Sequence, residues 1–193
     1  QGATGWKAQL DRGFLATRQA TDGSAPDYAH DVTLQATTLV LPRPLKIRLD
    51  PAGILPEEME RAVVDLTVAF DAPWDRGAVE SGDLPRVTAL NLRDLTITWG
   101  ELLLVAKGEI QVDRNGYPVG AMDVTAKNWT DMVDLAVEGG LIDRGLGDTV
   151  LSGLSLLARF SEDPDTLEVP LQFSGGFTKL GPIPIGPAPR FRR

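Results

Sequence analysis

Apolar and polar residues alternate in several short segments of the first two thirds of the chain. In one of them, Leu95, Ile97 and Trp99 are separated by threonines. Every second side chain of a strand points to the same face, so this pattern is typical of a strand with one buried face. The segments that show this alternation are 44–50, 64–70, 95–99 and 102–112. They predict an antiparallel sheet with one apolar face and one solvated face.

A turn is predicted directly after the last of these segments. Asn115 and Gly116 tolerate the positive φ angles of a type I′ turn, which joins two antiparallel strands as a hairpin. The strand that ends at Val112 should therefore pair with the strand that follows the turn. The apolar residues of that returning strand are Val119, Met122 and Val124.

The spacing of apolar residues becomes helical after residue 127. Asn128 stands at the N-cap position of a first helix, and the pair Gly139–Gly140 ends it. A second helix is predicted over 146–160, with Gly153 inside it, where a missing side chain permits close packing. Each helix is too short to be stable alone, so both must dock on an apolar surface.

Alternation returns near the end of the chain. Residues 167–173 predict a strand, and Pro170 within it cannot donate a ladder hydrogen bond, which favours a place at the sheet edge. Two glycines at 175–176 turn the chain into a further strand over 177–180. Four prolines in 181–189 then require a largely extended chain.

These elements predict an α+β fold. We expect a mainly antiparallel, curved β-sheet with two short helices before the C-terminal strands. No repeat and no long linker interrupts the sequence, so residues 1–193 are predicted to form a single β-rich domain.

Composition excludes several classes of function. The chain has 27 Asp and Glu against 19 Lys and Arg, a net charge of −8, which argues against broad nucleic-acid binding. It contains no cysteine, which excludes disulfides, cysteine zinc sites, iron–sulfur clusters and thiol catalysis. It has one histidine, which excludes chemistry that needs paired imidazoles. The longest apolar run, 102–106, is far shorter than a membrane span.

Few residues suggest catalysis. His30 stands beside Asp31 and could act as a general base or as a metal ligand, but a solvated loop before a strand is the favoured interpretation. Asp131, Asp134 and Glu138 share one helix face, as paired catalytic carboxylates do in glycosidases. They lie opposite an apolar stripe, so a solvated face is favoured here too. No catalytic residue, metal ligand or cofactor is assigned.

The three arginines at the C-terminus leave two interpretations open. Arg190, Arg192 and Arg193 follow the proline-rich segment and could contact anionic lipid headgroups. A solvated tail is favoured over this interpretation.

Tryptophans leave one question open. Trp99 and Trp129 fall on apolar faces, and core packing is the favoured interpretation of both. The alternative is a groove for lipid or another apolar ligand on an incompletely covered sheet face. The residues that would line such a groove are Trp99, Leu102, Leu104, Trp129, Met132 and Leu154.

Several stretches of the chain resemble the domain-of-unknown-function 2125 family. The most specific of them is the ending Leu180 to Pro189. The others are 92–100, 108–113, 116–120, 128–129, 139–142 and 167–171. The chain also has a weaker likeness to AsmA-like envelope proteins, in which curved sheets hold lipid in an apolar groove; this is an analogy at the level of fold.

The resemblance implies an exported protein of Gram-negative bacteria with an N-terminal membrane segment. The chain starts at Gln1 without a methionine, so we expect it to be the C-terminal portion of a longer periplasmic protein anchored to the inner membrane. The family has no established catalytic residues to carry over.

The sequence therefore predicts a non-enzymatic cell-envelope protein that binds lipid or another apolar ligand in a β-groove, and no nucleic acid. The alternative is a protein-interaction or scaffold module that binds an envelope partner through an edge strand or through the proline-rich C-terminus. An enzyme built around His30 and Asp31 is a third hypothesis.

Overall fold

Nine strands form one open antiparallel sheet in the computed structural model, which describes residues 8–21, 26–82, 84–161 and 163–191. The order of the strands across the sheet is their order along the chain, so each strand pairs with its sequence neighbours and β1 and β9 are the edges. The strands are β1 (Arg12–Gln19), β2 (His30–Val40), β3 (Glu58–Phe70), β4 (Val87–Trp99), β5 (Leu102–Val112), β6 (Pro118–Lys127), β7 (Thr166–Ser174), β8 (Phe177–Leu180) and β9 (Ile183–Pro187).

Four helices accompany the sheet within these described residues. They are α1 (Arg43–Leu49), α2 (Arg76–Ser81), α3 (Trp129–Glu138) and α4 (Arg144–Ala158). The prediction of a mainly antiparallel β protein with a pair of helices before the C-terminal strands is confirmed. The two shorter helices were not predicted. None of the described helices is long and apolar enough to cross a membrane.

The register gives the sheet one apolar and one polar face. Directly opposed residues of antiparallel strands point to the same face, so a row of partners can be followed from strand to strand. One such row, from β1 to β7, is entirely apolar: Leu15, Leu34, Val64, Leu95, Ala106, Val124 and Val169. A row on the opposite face begins with Arg18, Asp31, Thr67, Asn91 and Glu109. The predicted division of the two faces is confirmed.

Helices α3 and α4 cover the C-terminal part of the apolar face, and their main strand contacts fall on β5, β7 and β9. Val150 and Leu154 of α4 are completely buried there. A Cβ atom on Gly153 would lie 2.6 Å from the Cδ1 atom of Ile183 in β9. The expected reason for a glycine inside this helix, close packing, is therefore confirmed.

Two smaller elements cover other parts of the same face. Leu45 of α1 packs against a buried cluster that contains Met59 and Trp99 at one end of β3 and β4. At the opposite end, Ala188 of the C-terminal segment packs against Ile110 and Phe173. The apolar face thus has three separate covers, and each buries a different part of it.

One predicted strand is a helix. Residues 44–50 were expected to alternate as a strand, but Arg43–Leu49 forms α1. Pro44 is tolerated there because the first turn of a helix needs no N–H from it. Leu45 faces the core, whereas Ile47 and Leu49 are exposed on the outside of the helix. Three apolar residues at alternate positions therefore did not mean one buried face.

The strand that contains Pro170 is not an edge strand. β7 pairs with β6 on one side and with β8 on the other. The N–H and C=O of a strand residue point to the same neighbour. The carbonyl of Pro170 accepts a hydrogen bond from the N–H of Gly181, just beyond the end of β8. Pro170 therefore lies just beyond the last residue pair of the β7–β8 ladder, where its lack of an N–H removes no ladder hydrogen bond.

Two local predictions need correction. The hairpin between β5 and β6 forms as expected, but Gly116 takes a positive φ, 85°, and Asn115 does not, so the turn is not type I′. Asn128 is the N-cap residue of α3, but its side-chain amide donates to the carbonyl of Glu101 instead of capping the helix.

Replacing Leu154 with alanine should destabilise the fold by about 2–5 kcal/mol, because it leaves a cavity in the core beneath α4. Urea denaturation should show a lower midpoint with an unchanged slope. Leu156→Ala is the matched control in the same helix, since Leu156 is 56% exposed. Equal shifts for both variants would contradict this account of the core.

Candidate functional site

A band of partly exposed apolar side chains lies on the first four strands, outside the three buried clusters of the described residues. We name it the apolar strip; its residues are Leu15, Val32, Leu34, Val64, Leu66 and Leu95. They form two adjacent rows of register partners. Leu15 is 70% exposed and the other five are half-buried. In the same row, Val169 of β7 is buried beneath α4, so burial increases away from β1.

Neighbouring elements define the limits of the strip. The cluster covered by α1 bounds it at one end of the strands, and the cluster covered by the C-terminal segment bounds it at the other. Four adjacent strands span roughly 14 Å at the usual strand spacing. The buried core beneath α3 and α4 draws its described strand residues from β5 to β9. The strip is therefore an apolar surface beside the main core.

The residues suggested by the sequence as ligand contacts lie elsewhere. Trp99 is buried in the cluster covered by α1, and its indole N–H donates to the carbonyl of Pro56. Trp129 and Leu154 are buried beneath the helices. The remaining three are Leu102, which is buried, and Leu104 and Met132, which pack against the helix core. Their role in ligand binding stays a prediction; in the structure all six pack as core side chains.

Charged side chains cluster on the opposite face of the same four strands. We name this group, which comprises Arg18, Asp31, Asp65, Thr67 and Arg93, the polar cluster. The Nε atom of Arg18 donates to Asp31 at 3.0 Å, and the hydroxyl of Thr67 donates to Asp31 at 2.7 Å. Arg93 donates to Asp65, Thr67 and Asp31. These hydrogen bonds connect all four strands.

A β-bulge places Arg93 in this cluster. The register between β3 and β4 shifts where Asp65 and Leu66 face Asp94 and Leu92, which leaves Arg93 as the extra residue. A bulge of this kind changes the direction of a side chain. The guanidinium of Arg93 then reaches the carboxylate of Asp65 on β3.

Hydrogen bonding fixes the charge state of the cluster. The Thr67 hydroxyl and the adjacent arginines hold the pKa of Asp31 below its ordinary value of 3.8. The hydrogen bond from Arg93 lowers the pKa of Asp65 in the same way, and the pKa of Arg93 is raised. Both carboxylates are therefore ionised at neutral pH and weak as bases. Two arginines balance them.

A cleft of about 850 Å³ lies above the polar cluster. Its walls include Phe14 and Ala16 of β1 and Pro26 of the loop before β2. The charged groups at its floor, the arginines and aspartates of the polar cluster, are paired with one another. Their main effect is therefore to hold neighbouring strands in register, and they present no free charge to a ligand.

The comparison with family models decides the classification of the chain. Residues 1–189 match the model described as "Uncharacterized protein conserved in bacteria (DUF2125)". The chain belongs to the DUF2125 family. The search of curated proteins found no match, and neither did the search of solved structures.

The hypothesis of a site built from His30 and Asp31 does not fit the geometry of this DUF2125 protein. The two residues are consecutive in β2, so their side chains point to opposite faces of the sheet. Asp31 belongs to the polar cluster. The His30 ring lies edge-on to Phe70, with their centroids 6.1 Å apart.

The other charged candidates have separate positions. Asp131, Asp134 and Glu138 are exposed on α3, as a solvated helix face requires. Arg190 is not a free tail residue: its Nε atom donates to the carbonyl of Asn115 at 2.8 Å, and its guanidinium lies over the ring of Tyr117. Arg192 and Arg193 lie outside the described residues.

A buried carboxylate that the sequence did not indicate holds the loop after α1. Asp50 is 3% exposed and accepts hydrogen bonds from the N–H groups of Ile54 and Leu55. Lys46 forms an ion pair with it and lies over the ring of Trp99. These contacts attach α1 to the sheet, beside the apolar strip. A short helix with lysine at i and aspartate at i+4 is the pattern that could have revealed the pair.

The polar cluster should make stability depend on pH in the acid range. A carboxylate whose pKa is lowered by folding stabilises the fold above its unfolded pKa, and this contribution is lost as the pH falls through the folded pKa. Asp65→Asn should therefore lower the urea midpoint by a constant amount between about pH 5 and pH 8. That difference should shrink below pH 3.8. Because Asp65 is partly exposed, we expect about 1 kcal/mol or less.

Asp123→Asn is the control for this experiment, since it makes the same charge change on the polar face of the sheet, but on β6, away from the polar cluster. An equal pH-dependent difference for both variants would contradict the assignment of the effect to the polar cluster.

Proposed function

We propose that this domain is a non-catalytic bacterial cell-envelope protein, and that its apolar strip binds the acyl chain of a lipid. We place it in the periplasm, attached to the inner membrane. The observation that carries the proposal is the contiguous apolar strip on β1 to β4, beside the part of the same sheet face that α3 and α4 cover.

A contiguous, partly exposed apolar surface suggests a binding role. Contiguous apolar patches on soluble proteins mark sites for ligands, membranes or partner proteins. Covering the half-buried leucines and valines of the strip would remove further apolar area from water, which is favourable by about 25 cal/mol per Å². A strip on one sheet face contacts an acyl chain on one side only, so we expect weak and rapidly exchanging binding.

The sheet geometry supports a chain-like ligand. One row of the strip runs across four strands and the second lies on β2 and β3, and neither contains a charged residue. Leu15 extends the first row to the edge strand β1. The analogy at the level of fold with AsmA-like envelope proteins, which was drawn from the sequence, favours the same proposal. The strip differs in its residues from the groove suggested by the tryptophans, because those side chains pack as core.

Leu34→Lys should weaken the binding of cis-parinaric acid, a fluorescent fatty acid, by roughly tenfold or more, because it places a charge in the centre of the strip. Fluorescence titration measures the effect. Gln35→Lys is the matched control: it is the next residue of β2, it carries the same new charge, and it points to the polar face. The control should bind as the unmodified protein does.

Circular dichroism and urea denaturation should accompany both titrations, so that loss of binding is not confused with loss of folding. A milder variant, Leu34→Ser, keeps the experiment decisive if the lysine unfolds the domain. Absence of saturable binding to the unmodified protein, or equal loss in Leu34→Lys and Gln35→Lys, would overturn the proposal.

A second candidate function is protein interaction through an edge strand. The predicted edge strand, β7, is internal, and the edges are β1 and β9. The proline-rich end is a less suitable docking segment, since Ile183 and Ala188 are buried in the fold. Deleting residues 181–193 would remove these core residues, so loss of a partner in that deletion would not identify a binding segment. The open edge at β1 is what favours this candidate.

A further inference from the structure

The two edges of the sheet differ in their ability to accept another strand. β9 contains Pro184 and Pro187, which lack a backbone N–H, and prolines of this kind protect an edge from pairing. β1 is eight residues long and contains no proline. Among the described residues, β1 pairs with β2 on one side, and no strand pairs with β1 on its other side. As far as the described residues extend, the edge at β1 is therefore open to strand addition.

Hydrogen bonding identifies the backbone groups on this outer edge. The N–H of Ala20 donates to the carbonyl of Ala29 at 2.8 Å, in line with the register of the β1–β2 ladder. Residues of a strand alternate between their two neighbours. The even-numbered residues of β1 therefore face β2, and the odd-numbered residues face outward. The outward residues are Gly13, Leu15, Thr17 and Gln19.

We propose that a second copy of this chain adds to this edge, with the two β1 strands antiparallel and a twofold axis at Ala16. In this register Gly13 faces the partner's Gln19, and Leu15 faces the partner's Thr17. Each copy supplies one N–H and one C=O from each of its four outward residues, and all of these groups find a partner. The result is one continuous sheet through both copies.

Charge favours this register over its neighbour. An axis at Leu15 would place Arg12 directly opposite the partner's Arg18, and opposed like charges destabilise a strand pair. It would also leave Gln19 opposite the partner's Asp11, whose N–H is already bonded to Thr37. With the axis at Ala16, Arg18 lies opposite the partner's Phe14 instead. An arginine beside an aromatic ring is a favourable neighbour.

Continuity of the apolar face gives the pairing a second source of stability. A twofold axis perpendicular to the sheet keeps the apolar faces of both copies on the same side. Leu15, which is 70% exposed in one copy, then becomes a diagonal neighbour of the partner's Leu15. One strand from each copy makes a small interface, so we expect a weak dimer that forms with increasing concentration.

Sedimentation velocity over a roughly hundredfold concentration range measures this association. Ala16 is half-buried on the polar face, next to the axis, so Ala16→Lys places two lysines directly opposite each other. Ala16→Glu does the same with two glutamates. Each variant should dissociate about tenfold more readily than the unmodified protein, and an equimolar mixture of the two should associate again.

Gln172→Lys is the control, since it adds a lysine to the same polar face of β7, far from the edge, and should leave association unchanged. A monomeric unmodified protein at every concentration would overturn the proposal, and so would undiminished association of Ala16→Lys. If both variants dissociate and their mixture does not associate, the register centred on Ala16 is wrong. Fatty-acid binding by a monomeric protein would leave the proposed function intact.

Discussion

Antiparallel register is the constraint on which the rest of this structure depends. Because opposed residues share a face, a single row of partners carries apolar side chains from Leu15 at the open edge to Val169 beneath α4. A shift of one residue in any strand would move the apolar side chains of that strand to the polar face. Burial beneath the helices on one face and hydrogen bonding in the polar cluster on the other face therefore favour the same strand register.

The covers of the apolar face are local, and this explains why part of that face stays open. Helices α3 and α4 follow β6 in the chain, so they fold back on the strands nearest to them, β5, β7 and β9. Leu45 of helix α1 packs against one end of β3 and β4, and the ion pair between Lys46 and Asp50 stabilises the helix there. The middle of β1 to β4 lies beyond all of these, and the half-buried side chains of the apolar strip remain.

Much of the fold can be predicted from the spacing of apolar residues alone, whereas the apolar strip and the polar cluster cannot. Alternation around Leu95 to Trp99 and helical spacing after Asn128 predicted the right elements, because in each case the apolar side chains lie on one face of the element. The sequence around β1 has no such alternation, because an edge strand exposed on both faces needs none. Arg93 could not be placed in the polar cluster from the sequence, since the bulge that directs it depends on the register of two strands.

The aromatic residues show why the groove suggested by the sequence and the apolar strip consist of different residues. A large side chain such as Trp99 buries more area than any aliphatic one, so it is selected for filled cores and its indole N–H finds a carbonyl at Pro56. An open strip that meets water in the free protein is better built from leucine and valine, which lose less when exposed. The same reasoning links the strip to the edge at β1. The apolar row continues to an exposed Leu15, which lies among the four outward-facing residues of β1. In the part of the chain that the structure describes, the partly exposed apolar surface and the strand edge without a partner therefore lie at one place.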